Sequence, residues 1–178
     1  MHSESICLLG AECTGKSSLT QALAEALPAT PVFEYLREWC LRAGRTPRVD
    51  EQAAIAAEQQ RRIEAQRAEL LIADTSALMT AVYSQHYFGD DSLLPAALAA
   101  HRRLIDLTLL CCPAGVPWQR DGCLRDGEAA RQAVHALLID LLHREGLPHQ
   151  LLQGPLPQRA EQAVSRITTI AGHNPRPC

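Results

Sequence analysis

Lysine is almost missing from this chain. Of seventeen side chains with a fixed positive charge, sixteen are arginine and one, Lys16, is lysine. The chain also lacks a basic excess: its formal net charge of −3 argues against a nucleic-acid binder, which needs a cationic face. Its apolar runs all fall short of a membrane span, and Met1-His2-Ser3-Glu4 lacks the basic and apolar regions of a secretory leader, so a cytoplasmic protein is expected. There is no Cys-x-x-Cys among the seven cysteines at 7, 13, 40, 111, 112, 123 and 178, and no His-x-x-x-His among the seven histidines. Reduced thiols are therefore expected rather than a disulfide framework, and a metal held by protein side chains alone is not.

The single lysine stands in Gly10-Ala11-Glu12-Cys13-Thr14-Gly15-Lys16-Ser17, the spacing of a phosphate-binding loop. At this composition the pattern arises by chance in roughly three of ten thousand such sequences, so it is not an accident. A compact ammonium reaches between β- and γ-phosphates from a tight loop where a planar guanidinium does not fit. Ser5-Ile6-Cys7-Leu8-Leu9 reads as a strand ahead of the loop, and Ser18 to Leu27, with leucines at 19, 23 and 27, as a helix behind it. Gly10 and Gly15 allow the loop amides to converge on phosphate at the positive end of that helix, and the Ser17 hydroxyl is placed for Mg²⁺.

Strand-like and helix-like segments alternate along the rest of the chain. Val32-Phe33-Glu34-Tyr35 is expected as the second strand, about Asp50 to Glu69 as a long helix, and Leu70 to Asp74 as the third strand. A helix through Tyr83 and a short one to Arg103 precede the fourth strand, Leu107 to Cys112. An amphipathic helix from Glu128 to Glu145, a fifth strand from His149 to Leu152 and a last helix from Gln158 to Ile170 complete the pattern. These imply one domain over residues 1–172, with 173–178 a loose tail. The fold expected is three-layer α/β, a P-loop NTPase with a five-stranded parallel sheet, whose ligands gather at the carboxyl ends of the strands.

Asp74 ends an apolar strand, as expected of the second carboxylate that holds Mg²⁺ in such folds; a cap on the helix that follows is the lesser reading. Thr75 then occupies the place where many motor-type ATPases carry a glutamate that activates water, which favours transfer to a bound acceptor over hydrolysis. A guanine-reading Asn-Lys-x-Asp is excluded because Lys16 is the lone lysine, and Leu-Ser-Gly-Gly-Gln is absent. A small-molecule kinase remains. The seven aromatic residues, Phe33, Tyr35, Trp39, Tyr83, Tyr87, Phe88 and Trp118, all fall between the second strand and the loop after the fourth, where such a kinase would hold its acceptor; for each of them local core packing is the competing reading, above all for the i, i+4 pair Tyr83 and Tyr87.

Gly10 to Leu19, Glu34-Tyr35-Leu36-Arg37-Glu38, Asp74-Thr75, Tyr87-Phe88-Gly89 and Pro117 to Gly122 with Arg125 resemble the ribosylnicotinamide kinase domain of NadR-type proteins, in that family's order from Ile6 to about Ile170. The resemblance implies transfer of the ATP γ-phosphate to the 5′-hydroxyl of nicotinamide riboside, giving nicotinamide mononucleotide for NAD salvage, with ATP and Mg²⁺ as cofactors and a mobile lid. Cys13-Thr14 in place of a serine pair and Leu36 in place of a smaller residue depart from the family pattern; the first is expected to be tolerated and the second to bear on the shape of the acceptor pocket. NadR-type proteins often carry a DNA-binding motif and an adenylyltransferase domain ahead of the kinase. With the first strand beginning near Ser5, a stand-alone kinase is expected, and a homo-oligomer is compatible with it.

The nucleotide side would comprise Gly10, Glu12, Cys13, Thr14, Gly15, Lys16, Ser17 and Ser18, with Arg131, and with Arg159 beside the Gln153 to Leu156 loop near adenine. Arg120, Arg125 and Arg131 flank a glycine-containing segment before a helix, which suits a lid that closes arginines over the transferring phosphate, although each alone could be a solvated surface residue. A cationic pyridinium ring favours aromatic faces and carboxylates, which makes Phe33, Tyr35 and Trp118 candidates for the ring and Glu34 and Asp121 for ribose or base contacts, with Arg37 alongside. The catalytic set is then Lys16, Glu34, Asp74 and Arg125, with Ser17 and Asp74 at the metal. Glu34 is the expected proton acceptor; orienting ribose or pairing with Arg37 are its other readings. Another nucleoside or small alcohol as acceptor, or a non-catalytic ATP-binding module, are the rival functions.

Overall fold

The computed structural model describes residues 4–119 and 127–173. In chain order the elements are β1 (Glu4–Leu9), α1 (Lys16–Ala26), β2 (Thr30–Val32), α2 (Tyr35–Ala43), α3 (Val49–Glu64), β3 (Leu70–Asp74), α4 (Ala77–Phe88), α5 (Leu94–Leu104), β4 (Leu107–Cys111), α6 (Glu128–Arg144), β5 (His149–Leu152) and α7 (Leu156–His173). The strands form one parallel sheet in the order β2-β3-β1-β4-β5, with Ile6 paired to Ile72 on one side and Leu107 on the other.

Parallel pairing demands crossover connections, and the crossover helices cover both faces of the sheet. That is why β1 is apolar without alternation. Ile6 and Leu8 pack on Leu19 and Leu23 of α1 and on Ala163 and Ile167 of α7. Cys7 and Leu9 lie in the opposite cluster, with Leu78 and Val82 of α4 and Val134 and Leu138 of α6. Cys7, Cys40, Cys111 and Cys112 are buried free thiols and Cys13 is partly exposed. Burial raises the Cys7 thiol and pushes Cys111 up to about 11, so both remain protonated. Among the described residues, no helix is long and apolar enough to cross a membrane.

Several boundaries differ from the expected ones. The second strand is Thr30–Val32, not 32–35; Pro31 is tolerated because β2 lies at the sheet edge, paired on one side alone. The chain leaves the sheet at Phe33, so Glu34 ends no strand but stands immediately before α2. That helix went unrecognised in the sequence, although Leu36 and Cys40 are i, i+4 partners and Gly44, at φ 68, supplies a left-handed C-terminal stop. The third helix ends at Glu64 rather than Glu69, and α4 runs on to Phe88 before Gly89 at φ 66 closes it. The last helix spans Leu156–His173 rather than 158–170, and so takes in His173, a residue expected in the tail.

Candidate active site

The turn from β1 to α1 is built by backbone conformations that few side chains tolerate. Gly10 sits at φ 152, where an added Cβ would come within 2.9 Å of both the Cys111 carbonyl and Thr14 Oγ1. Gly15 caps α1 at φ 79 with no side-chain hydrogen bond, which leaves the first amides of that helix open to an anion. Lys16 is buried, and its Nζ donates to the carbonyls of Gly10 (2.9 Å) and Ala11 (3.1 Å), so the ammonium spans the loop it belongs to.

Two distant arginines brace this loop. Arg159 of α7 donates to the carbonyls of Thr14 (2.9 Å), Cys112 (2.7 Å) and Gly154 (2.6 Å), tying the loop to the ends of β4 and β5. Arg131 of α6 donates to Cys13 O (3.0 Å) and Val116 O (2.9 Å) and pairs with Glu128 (2.5 Å). Both side chains are buried and hold the frame of the loop, and neither lines the cleft beside it. Cys13, at φ 54, donates its thiol to Pro117 O (3.6 Å) and accepts from the Gln119 amide (3.3 Å), which fastens the loop to the segment carrying Trp118.

Ser17 Oγ donates to Asp74 Oδ2 at 2.5 Å. The other oxygen, Asp74 Oδ1, is buried and has no hydrogen-bond partner among the described residues. A hydroxyl beside a carboxylate with an unused buried oxygen is a hard-oxygen donor set that fits Mg²⁺. Helix α4 is capped not by Asp74 but by Ser76, whose Oγ accepts from Leu78 N (3.3 Å) and bonds to His101 Nδ1 (3.0 Å). Burial pulls His101 down to about 4, so it stays neutral, and its Nε2 bonds to Thr108 Oγ1 (2.8 Å). Thr75, between the two, is held at φ 75, a costly conformation for a β-branched residue.

A cleft of about 740 Å³ opens from the phosphate loop toward α2, the start of α3 and the end of α4. Glu12, Cys13, Thr14, Gly15, Lys16, Ser17 and Ser18 form one wall, and Glu34, Leu36 and Arg37 face it, so these sequence candidates converge. Glu34 is half-buried, and its carboxyl is raised above the ordinary 4.5 by loss of solvent first, with Asp74 and Glu12 adding and Lys16 and Arg37 opposing. The aromatic wall is different from the one expected. Tyr83, Tyr87 and Phe88 line the cleft, with the Tyr83 and Tyr87 rings stacked at 6.2 Å. Burial, with Glu34 and Glu12 adding, raises the Tyr83 phenol so that it keeps its proton and can donate.

Phe33, Tyr35 and Trp118 are outside that lining. Phe33 is exposed, and the Tyr35 ring is taken up by Arg62, whose guanidinium lies 4.4 Å from its centroid, while its hydroxyl accepts from Arg42 (2.8 Å). Arg120, Asp121 and Arg125 lie outside the described residues. Tyr83, Tyr87 and Phe88 stood among the seven aromatics expected near the acceptor, with core packing as the rival reading; the cleft residues the sequence did not single out are Thr46, Arg48 and Gln52, across the unrecognised α2–α3 turn.

Residues 5–159 match the model of a family described as the AAA domain. No curated protein sequence matches the chain. Among solved structures it is similar to the NadR protein in complex with NR, at TM-score 0.78 and 23% identity, covering 99% of this chain and 53% of that one. It is also similar to the NadR protein in complex with NAD and AMP-PNP, at TM-score 0.75 and 20% identity, covering 99% and 51%. Deoxyadenosine kinase from M. mycoides, with products dCMP and a flexible dCDP bound, aligns at TM-score 0.68 and 12% identity over 93% and 99% of the two chains. The chain thus spans about half the length of the NadR chains, and the likeness is one of fold: a five-stranded parallel P-loop sheet shared with kinases.

Proposed function

We propose that this chain, which belongs to the AAA-domain family, is a P-loop kinase that transfers the γ-phosphate of ATP to the 5′-hydroxyl of nicotinamide riboside, giving nicotinamide mononucleotide. The observation that carries this reading is the single cleft joining the phosphate loop to Glu34 and to the aromatic wall of α4. At about 740 Å³ the cleft has room for a nucleotide phosphate beside a small alcohol, with the Glu34 carboxylate on the wall facing the loop. Thr75 after Asp74 leaves no carboxylate at the position that would activate water, which again favours an organic acceptor.

Each residue then has a physical task. The open amides of α1 and the Lys16 ammonium receive phosphate oxygens, and Lys16 exchanges its bonds to Gly10 and Ala11 for that contact. Ser17 and Asp74 would hold Mg²⁺ jointly with the phosphates. When bound, the ion neutralises negative charge on the phosphates. Glu34, across the cleft from the loop, accepts the proton of the acceptor hydroxyl, and its raised pKa makes it a better base than an ordinary solvent-exposed carboxylate. Tyr83, Tyr87 and Phe88, with Glu12 and Glu34 nearby, favour a cationic aromatic ring such as pyridinium.

Arg37 and Arg48 on the same side of the cleft favour a second reading, in which the acceptor carries its own carboxylate or phosphate. ADP release and product mass, measured with Mg-ATP across nucleosides and anionic alcohols, separate the two. Selective 5′-phosphorylation of nicotinamide riboside is the expected result, and ATP binding with no product from any acceptor would refute a kinase. Glu34→Gln should lower kcat by roughly 10²–10⁴ with ATP affinity nearly unchanged. Asp74→Asn should weaken Mg-ATP binding as well.

A further inference from the structure

Glu34 and Asp74 share an arrangement that their positions in sequence do not reveal. Each carboxylate stands just before a helix, Glu34 next to α2 and Asp74 two residues before α4. An acidic residue there ordinarily accepts from the first free amides of the helix. Neither does. The Glu34 side chain makes no capping bond, and α4 is capped by Ser76, so neither carboxylate is spent on the helix it precedes.

What replaces the missing cap at α2 is Gln59, on the third turn of α3. Its Oε1 accepts from the amide of Tyr35 (2.7 Å), the residue after Glu34, and its Nε2 donates to the carbonyl of Thr75 (3.3 Å), the residue after Asp74. Gln59 is 1% exposed, so neither bond is contested by water. One planar amide of fixed length therefore joins the backbone beside one carboxylate to the backbone beside the other. Thr75 is also the residue held at φ 75, a conformation that persists where surrounding contacts over-determine it; its amide is tied to Leu8 O (3.0 Å) and its carbonyl to Gln59. One turn further along α3, Arg62 lies over the Tyr35 ring and pairs with Glu38, so the same helix face grips the first turn of α2 at both backbone and side chain.

We propose that Gln59 is the positioning residue that sets the separation of Glu34 and Asp74, by bonding the residue that follows each of them. The proposal rests on the reading of Glu34 as base and Asp74 as metal ligand. Two carboxylates beside one ammonium repel each other, and nothing in the strand β2 restrains Glu34, because that strand ends at Val32. A neutral amide with one donor and one acceptor is the side chain that resists this drift without adding a third negative charge. The separation matters because the acceptor oxygen held by Glu34 must meet the phosphorus held on the Asp74 side in line, and a displacement of about 1 Å costs on the order of 10² in rate.

Gln59→Met keeps the volume and removes both bonds. It should lower kcat by about 10- to 100-fold while the Kd for an ATP analogue changes by less than about threefold, since the phosphate loop is braced independently by Arg131 and Arg159. Made in the Glu34→Gln background, the same substitution should lower kcat by less than about threefold, because residues acting as one unit are not additive. An equal loss in both backgrounds, or a parallel loss of ATP-analogue affinity, would overturn the proposal and leave Gln59 a packing residue. If Gln59→Met does not fold, Gln59→Leu also removes both bonds without adding charge, and the same two-background comparison decides. If Glu34→Gln alone keeps full kcat, the base assignment fails by itself. Gln59 is then judged by the Mg²⁺ concentration for half-maximal rate, which Gln59→Met should raise severalfold; an unchanged value overturns the clamp.

Discussion

On the phosphate side of the cleft, the carbonyls of Cys13, Thr14, Cys112, Val116 and Gly154 accept bonds from two buried arginines. On the acceptor side, the turn between α2 and α3 is tied by Arg45 to Glu51 (2.7 Å) and by Arg48 to the same carboxylate (3.2 Å), pairs whose side chains stand partly in water. The two walls thus answer to different physics. A charge-assisted bond in the interior cannot be replaced by solvent, so losing it leaves carbonyls with no partner. A surface pair trades one hydrated arrangement for another and holds little. By this reasoning the phosphate wall costs more to deform than the opposite rim.

The largest expected effect lies at the centre of the rigid wall. Lys16→Ala should reduce kcat by at least about 10²–10³, the loss typical of removing one donor aimed at transition-state charge. Lys16→Arg should not restore it, because a guanidinium does not fit the space in which Nζ now bonds Gly10 and Ala11. An arginine variant with near-normal kcat breaks the account of the single lysine.

Next come the braces. Arg159→Leu strands the carbonyls of Thr14, Cys112 and Gly154, each at a cost of about 1–3 kcal/mol, and denaturant unfolding should show a loss of several kcal/mol together with a raised KM for ATP. Glu51→Ala on the opposite rim removes partly hydrated ion pairs and one capping bond to the Arg48 amide, so its loss of stability should be well below that of Arg159→Leu, even though the carboxyl is held down at about 2 by Arg45 first and the Arg48 amide second. Equal destabilisation by the two variants would erase the contrast between the walls.

Glu34 lies where the walls meet. Its folded pKa is raised above 4.5, chiefly by loss of solvent, so the fold prefers its protonated form and is weakened by it as pH rises through that raised value. Glu34→Gln should therefore melt at a higher temperature than the parent at pH 7, with the gain fading below pH 4.5, the opposite of its effect on kcat. A variant less stable than the parent at pH 7 contradicts that electrostatic account. The smallest effect concerns Cys13, which is partly exposed in the loop. Saturating ATP should slow its alkylation, and equal labelling rates with and without nucleotide would place the phosphates elsewhere.

Much of the phosphate wall was legible because its chemistry is contiguous. Eight residues carry the glycine geometry, the ammonium and the hydroxyl, and a four-residue apolar run announces Asp74. The bracing of that wall was not legible. Arg159 lies 145 residues from Thr14, and its position on α7 suggested a ligand contact where the fold uses it on backbone carbonyls. The acceptor wall failed in a related way. Tyr35 looked like a ring for a cationic substrate, yet Arg62 and Arg42 already occupy it, while Tyr83, an apparent core residue, lines the same cleft as Glu34 and Glu12.

By itself the sequence determined the strand–loop–helix at Gly10 to Ser17, the alternation that forces a parallel sheet, and the carboxylates available to the reaction. These depend on local conformation and on periodicity, which neighbouring residues settle among themselves. Tertiary structure alone decided that β2 stops at Val32, that α4 supplies the aromatic face, and that one amide, Gln59, spans the backbone between Glu34 and Asp74. Those choices arise when helices far apart in the chain compete for the same faces of a buried sheet. A side chain's partners are then set by which surfaces pack, not by which residues adjoin it.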